Sequence, residues 1–158
     1  MGRLKDLRAL VDQKLLAVED EAKRTSATVH LYGVSLAAVL IAKKRGQDEE
    51  LAAMAAMLHD MHAYLSGSYD DHARLGAILA DKILRELGET SEEENQIICS
   101  MIAHHDDKHT VDSPMDEVLK DADVMHHCFH DPSKPVKEKE QKRYDALIQE
   151  FGLNGNGE

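Results

Sequence analysis

Residues 51–61 read LAAMAAMLHDM, an apolar run that ends in two adjacent polar residues, His59 and Asp60. The run has the composition of a buried helix. Burying an unpaired neutral polar group costs roughly 2–7 kcal/mol, and burying an unpaired charge costs more. A divalent metal would remove that cost, because imidazole and carboxylate are both good ligands for zinc, iron or manganese. The alternative is that the helix ends at His59 and both side chains point into water.

The composition is that of a soluble domain with an acidic surface. The chain has 158 residues, of which 42% are hydrophobic, and this is enough to bury one core. A net charge of -11 argues against nucleic-acid or membrane binding. A small anionic substrate is still allowed, because bound metals reverse the local field. Two cysteines and an N-terminus without an apolar signal region predict a cytoplasmic protein.

Helical periodicity predicts an all-α fold, a single-domain bundle of about seven helices over residues 1–158. The expected helices cover residues 3–23, 25–45, 48 to about 64, 70–87, 92–105, 114–130 and 137–151. Stop and start signals support these bounds, notably Gly46, the capping-box pattern that begins at Ser91, and Ser113 before Pro114. The core region is expected at about 24–128, with flanking helices at 1–23 and 137–151 and a disordered tail at 152–158.

Each expected helix from the second to the sixth carries a candidate metal ligand at an end or on an apolar face. The candidates are His30, His59, Asp60, His72, His104, His105 and Asp123. Their wide spacing is typical of a site assembled by tertiary packing. Asp121 competes with Asp123 but lies on a different helix face, so only one should bind. The other histidines are interpreted as surface residues or outer hydrogen-bond partners of ligands, namely His62, His109, His126, His127 and His130.

The order of His30, then His59 with Asp60, then Asp123 resembles the HD superfamily of metal-dependent phosphohydrolases. Five segments carry the resemblance, in the family's order: VHLYGV at 29–34, AAMLHD at 55–60, HARLGA at 72–77, MIAHHD at 101–106 and KDAD at 120–123. The resemblance implies an HD-domain-like helical fold with one or two divalent ions, drawn from Fe, Mn, Ni, Co, Zn or Mg.

The resemblance also implies a ligand set and a reaction. The first metal would be held by His30, His59, Asp60 and Asp123. The second would be held by His72 and His104, with His105 joining or replacing His104 and with Asp60 bridging the two ions. The implied reaction is hydrolysis of a phosphoester or phosphoanhydride of a small molecule by a metal-activated hydroxide, with a nucleotide as the expected substrate.

The sequence departs from the family in ways that leave other functions open. The family often continues with H-D-I-G-K, whereas this chain reads HDMHAY at 59–64, so the phosphate-binding lysine is missing there. Lys108 and Arg74 are candidates for that role, and they join Asp60 as the expected catalytic residues. A di-iron HD-fold oxygenase and a non-catalytic metal- or nucleotide-binding module are the alternatives. The acidic surface and amphipathic terminal helices permit a homodimer.

Overall fold

Eight helices account for the regular structure of residues 2–155, the part of the chain that the computed structural model describes. They are α1 (Arg3–Leu15), α2 (Glu21–Arg45), α3 (Glu49–Leu58), α4 (Met61–Ser66), α5 (His72–Leu87), α6 (Glu92–His104), α7 (Pro114–His130) and α8 (Glu138–Glu150). No strand occurs within 2–155. The predicted all-α class is confirmed, and residues 156–158 of the expected tail lie outside the described residues.

The helix α3 lies at the centre of the bundle. Each residue from Leu51 to Leu58 is buried, and α3 packs against α1, α2, α6 and α7. Its four alanines allow these neighbours to approach closely. The prediction that this apolar run is a buried helix is confirmed.

The helix expected over 48–64 is two helices, α3 and α4, and the break falls at His59 and Asp60. Asp60 has φ -112° and ψ 9°, which lies in the sparsely populated bridge region outside the helical range. Successive side chains of a continuous helix diverge by about 100°. The break therefore allows two adjacent side chains to face the same centre.

The N-terminal helix bounds also need correction, because the helix expected over 3–23 ends at Leu15. The next helix begins at Glu21, before the expected Thr25, since the Asp20 carboxylate accepts a hydrogen bond from the Lys23 backbone N–H at 3.0 Å. Within residues 2–155, α2 alone is long and apolar enough to cross a membrane. It packs against α3 and α7.

Candidate metal centre

A first ligand set joins α2, the α3–α4 turn and α7, and consists of His30, His59, Asp60 and Asp123. His30 Nε2 lies 3.2 Å from both Asp60 Oδ2 and Asp123 Oδ1. His59 Nε2 lies 3.3 Å from Asp60 Oδ2 and 3.1 Å from His30 Nε2. Donor atoms so close together, in this mixture of imidazole and carboxylate, suit a divalent transition metal.

A second ligand set lies on the other side of the Asp60 carboxylate and consists of Asp60, His72 and His105. The Asp60 Oδ1 atom is 3.3 Å from His105 Nε2 and 3.7 Å from His72 Nε2. Since Oδ2 faces the first set and Oδ1 faces the second, Asp60 is placed to join two metal positions.

Backbone carbonyls hold three of the histidine rings with Nε2 toward the cluster. In each ring Nδ1 lies within hydrogen-bond distance of a carbonyl oxygen one turn earlier. The pairs are His59 with Ala56 at 2.6 Å, His72 with Tyr69 at 2.9 Å and His105 with Ile102 at 2.6 Å. Because Nδ1–H donates to the carbonyl, the lone pair on Nε2 is left for a metal.

The electrostatics of the cluster also fit a cation. Asp60 Oδ1 and Asp123 Oδ1 are buried without a hydrogen-bond partner among the described residues. Burial opposes the charge of both carboxylates, yet His59 holds the pKa of Asp60 well below its usual range, and Lys108 does the same for Asp123. Burial likewise opposes a charge on His59, but Asp60 and Asp123 raise its pKa to about 10. The two carboxylates are thus held ionised by neighbouring positive charge, and a bound cation would take the place of the His59 proton and satisfy the orphaned oxygens.

His104, which was expected in the second ligand set with His105 joining or replacing it, lies outside the cluster. Its Nδ1 lies 2.8 Å from the Ser100 carbonyl oxygen and 3.3 Å from Asp116 Oδ2, and its side chain is 47% exposed. His104 is the last residue of α6, whereas His105 begins the following turn and points inward. Of these two histidines, the structure places only His105 beside Asp60.

The two basic residues expected to act in catalysis lie in different environments. Arg74 is exposed and its Nε donates to Asp71 Oδ2 at 2.6 Å, so its contacts give no support to a phosphate-binding role. Lys108 is buried, and its Nζ donates to Asp123 Oδ2 at 3.0 Å and to the His105 carbonyl oxygen. Lys108 thus contacts the first ligand set directly, as a partner of Asp123.

Asp121 has its own partners, away from the cluster. Its carboxylate accepts from Arg45 at 2.7 Å and from Arg143 at 3.0 Å. Of the two carboxylates, Asp123 faces the histidines and Asp121 does not.

Comparison with known proteins places this geometry in a family. Residues 28–128 match the HD domain. The chain belongs to the HD domain family. The fold of this HD domain is similar to a crystal structure described as a predicted HD superfamily hydrolase from an uncultured Thermotogales bacterium, with 23% sequence identity and a TM-score of 0.62. The similarity covers 96% of this chain and 91% of that chain. A search among curated proteins found no match.

The HD domain of this chain has a further histidine against the first ligand set that sequence reasoning placed only loosely. His126 Nδ1 lies 3.0 Å from His30 Nδ1. Its ring occupies the space beside Gly33 where a Cβ atom would be. Gly33 therefore makes room for the ring that contacts His30.

His127 is the second such histidine, and it lies one helical turn after Asp123. Its Nε2 is 3.6 Å from Asp123 Oδ1, and its Nδ1 is 2.8 Å from Glu140 Oε2. The spacing of four residues on one helix was the available sequence signal, because residues i and i+4 share a helix face.

A cavity of about 1450 Å³ opens over the two ligand sets. Its wall includes Asp60, His72, His105 and Asp123, and five lysines line it at various depths. The lysines are Lys23, Lys108, Lys134, Lys137 and Lys139. The ligand sets are thus accessible to a small molecule from one side of the bundle.

Proposed function

We propose that this HD domain is a metal-dependent phosphohydrolase that cleaves a phosphoester or phosphoanhydride of a small molecule, with nucleotides as the first substrate class. The observation that carries the proposal is the Asp60 carboxylate, whose two oxygens face two separate sets of histidine nitrogens. When bound, a pair of divalent cations lowers the pKa of water and neutralises phosphoryl charge.

Different side chains of the chain would hold each of the two divalent cations. The first ligand set supplies three side chains besides Asp60, and the second supplies two. Lys108 positions Asp123 through its 3.0 Å hydrogen bond, and it supplies positive charge beside that buried carboxylate. We therefore propose that Lys108 positions Asp123 and does not itself bind the phosphate of the substrate.

The cavity supports a small anionic substrate. A volume of about 1450 Å³ exceeds the roughly 300–1,000 Å³ of common small-molecule sites, so a nucleotide has room. Four of its lysines lie on the segments around the N-terminal half of α2, the α7–α8 connection and the start of α8. The cavity wall also carries seven carboxylates, so in a chain with net charge -11 these lysines and the bound metal ions together would offset repulsion of a phosphate.

Metal content tests the ligand assignment. We would purify the chain without chelator, load it with Mn²⁺, and measure the metal content of wild type and of three single variants. The variants are Asp60→Ala, His105→Ala and His104→Ala, the last of which is the control. We expect about two equivalents in wild type and in His104→Ala, about one in His105→Ala, and little in Asp60→Ala, because two-metal sites share their bridging ligand. Equal loss in the two histidine variants would contradict the assignment.

Phosphate release tests the reaction. Wild type loaded with Mn²⁺, and separately with Fe²⁺, would be incubated with nucleoside mono-, di- and triphosphates and with simple phosphomonoesters, in air and without oxygen. Hydrolysis predicts equal phosphate release in both atmospheres and its loss in Asp60→Ala. Turnover that consumes oxygen would favour the oxygenase alternative, and metal binding without turnover of any phosphate compound would favour a binding module.

A further inference from the structure

His127 and Glu140 form a histidine–carboxylate pair at the edge of the first ligand set. His127 Nε2 lies 3.6 Å from Asp123 Oδ1. The ligand atoms of His30, Asp123 and His127 all lie within 4.8 Å of one another. The His127 ring is also nearly parallel to the His30 ring, with centroids 5.1 Å apart.

The Glu140 carboxylate determines which nitrogen of His127 faces the ligand set. Glu140 is 1% exposed, and its Oε2 accepts from His127 Nδ1 at 2.8 Å. Burying a carboxylate is costly unless it is paired. With the proton on Nδ1, the lone pair on Nε2 points toward Asp123. Glu140 thus does for His127 what backbone carbonyls do for His59, His72 and His105, and a carboxylate is a common outer partner of metal-bound histidine.

The distance between His127 Nε2 and Asp123 Oδ1 suits two ligands of one metal ion better than it suits a direct hydrogen bond. At 3.6 Å the two atoms are too far apart for a good hydrogen bond, and Asp123 Oδ1 has no hydrogen-bond partner among the described residues. Ligands about 2.1 Å from a shared ion lie roughly 3.0–3.6 Å apart when their angle at the ion is 90–120°. A pair that served only to hold α8 against α7 would not need Nε2 to face this oxygen.

We propose that His127 is a fifth protein ligand of the first metal position and that Glu140 is its positioning residue. This inference rests on the proposed function, because it requires that the first ligand set binds a metal. It gives the first position five side chains against three at the second. It also ties α8, which lies outside the segment matched to the HD domain, to the metal centre.

The test measures Co²⁺ affinity by competition with a chelator, in a His105→Ala background in which the second ligand set is incomplete. We expect His127→Leu to weaken Co²⁺ binding by at least about 10-fold, and Glu140→Gln by about 10-fold, which is the lower end of outer-partner effects. The matched control is His104→Leu, a histidine outside the cluster, and its affinity should equal that of the parent. The visible absorption of bound Co²⁺, which depends on coordination number, should change in His127→Leu only.

The outcomes separate this inference from the proposed function. If the parent binds Co²⁺ and both variants bind it equally well with an unchanged spectrum, His127 is not a ligand. A higher KM of His127→Leu made in the wild-type background, with unchanged Co²⁺ affinity, would make His127 a substrate contact and would also overturn the inference. If the parent binds no metal, both proposals fail. Glu140→Gln keeps a hydrogen-bond acceptor for Nδ1, so it tests the inference even if His127→Leu does not fold.

Discussion

The surroundings of His30 depend on the size of a single side chain, that of residue 33. Gly33 lies three residues after His30 on α2, and the His126 ring fills the position of its absent side chain. A glycine within a helix costs roughly 1 kcal/mol relative to alanine. Here the cost allows His126 to approach His30 at 3.0 Å.

The effect of Gly33→Ala on the free energy of unfolding should therefore have opposite signs with and without His126. With His126 present, overpacking of about 1–3 kcal/mol should outweigh the helix preference of alanine and lower the free energy of unfolding. In His126→Ala, the same change should raise it by about 1 kcal/mol. Urea unfolding of the four proteins measures both effects, and an equal effect in both backgrounds would show that the ring does not limit the space.

The choice between neighbouring histidines shows where residue-level prediction stops. The sequence placed a histidine ligand at 104 or 105, and the structure selects His105 because α6 ends at His104 and the chain turns inward after it. Which of two adjacent side chains faces the site depends on the last turn of the helix, whose end is not defined to one residue by periodicity. The sequence could not indicate what orients His127 for a related reason, because its partner Glu140 belongs to another helix.

At the scale of helices, the ends with side-chain or glycine caps were predictable. The capping box of Ser91 and Glu94, the Ser113 cap before Pro114, and the left-handed Gly46 that ends α2 are all present. The break between α3 and α4 was not predicted, since no glycine or proline marks it. The break is associated with tertiary contacts of His59 and Asp60, and helix propensity carries no information about such contacts.

The pH dependence of the α6 N-terminus follows from Glu94. Hydrogen bonds from Arg3, then from Ser91, lower the pKa of Glu94 from 4.5 to about 2. A lowered pKa in the folded state means that the charge stabilises the protein above about pH 4.5, and this contribution is lost as the pH falls toward 2.

Glu94→Gln tests this contribution, because glutamine can still accept the hydrogen bond from the Ser91 backbone N–H but carries no charge. We expect a loss of about 1 kcal/mol or less at pH 7, in keeping with a partly exposed ion pair. Thermal melts from pH 7 to pH 3 should show the difference from wild type shrinking. A difference that stays constant over this range would assign the effect to packing.

At the scale of the whole molecule, the fold and the family were predictable because five short segments that resemble the HD family occur along the chain in the family's order. The substrate, the cytoplasmic location, the domain bounds and the homodimer remain predictions.

Metal binding should stabilise the entire domain, because the ligands come from α2, the α3–α4 turn, the start of α5, the turn after α6 and α7. At a free Mn²⁺ concentration 100 times the Kd, linkage predicts about 2.7 kcal/mol for each occupied site. For a domain of this size, each occupied site corresponds to a Tm increase of about 5–10 °C. Thermal melts with Mn²⁺ and with a chelator measure it.

The matched pair Asp123→Asn and Asp121→Asn gives the control for this prediction. Asp121 contacts Arg45 and Arg143, so Asp121→Asn should melt earlier than wild type yet keep the full response to Mn²⁺. Asp123→Asn should lose most of the response. A response retained in Asp123→Asn would remove Asp123 from the ligands.

The space shared by Gly33 and His126 also has a consequence for how the sequence can diverge. Any side chain at position 33 would overlap the ring at position 126. Relatives that replace the glycine should therefore carry a smaller residue in place of the histidine, and relatives that keep the histidine should keep the glycine. The two positions, 93 residues apart in sequence, are expected to vary together.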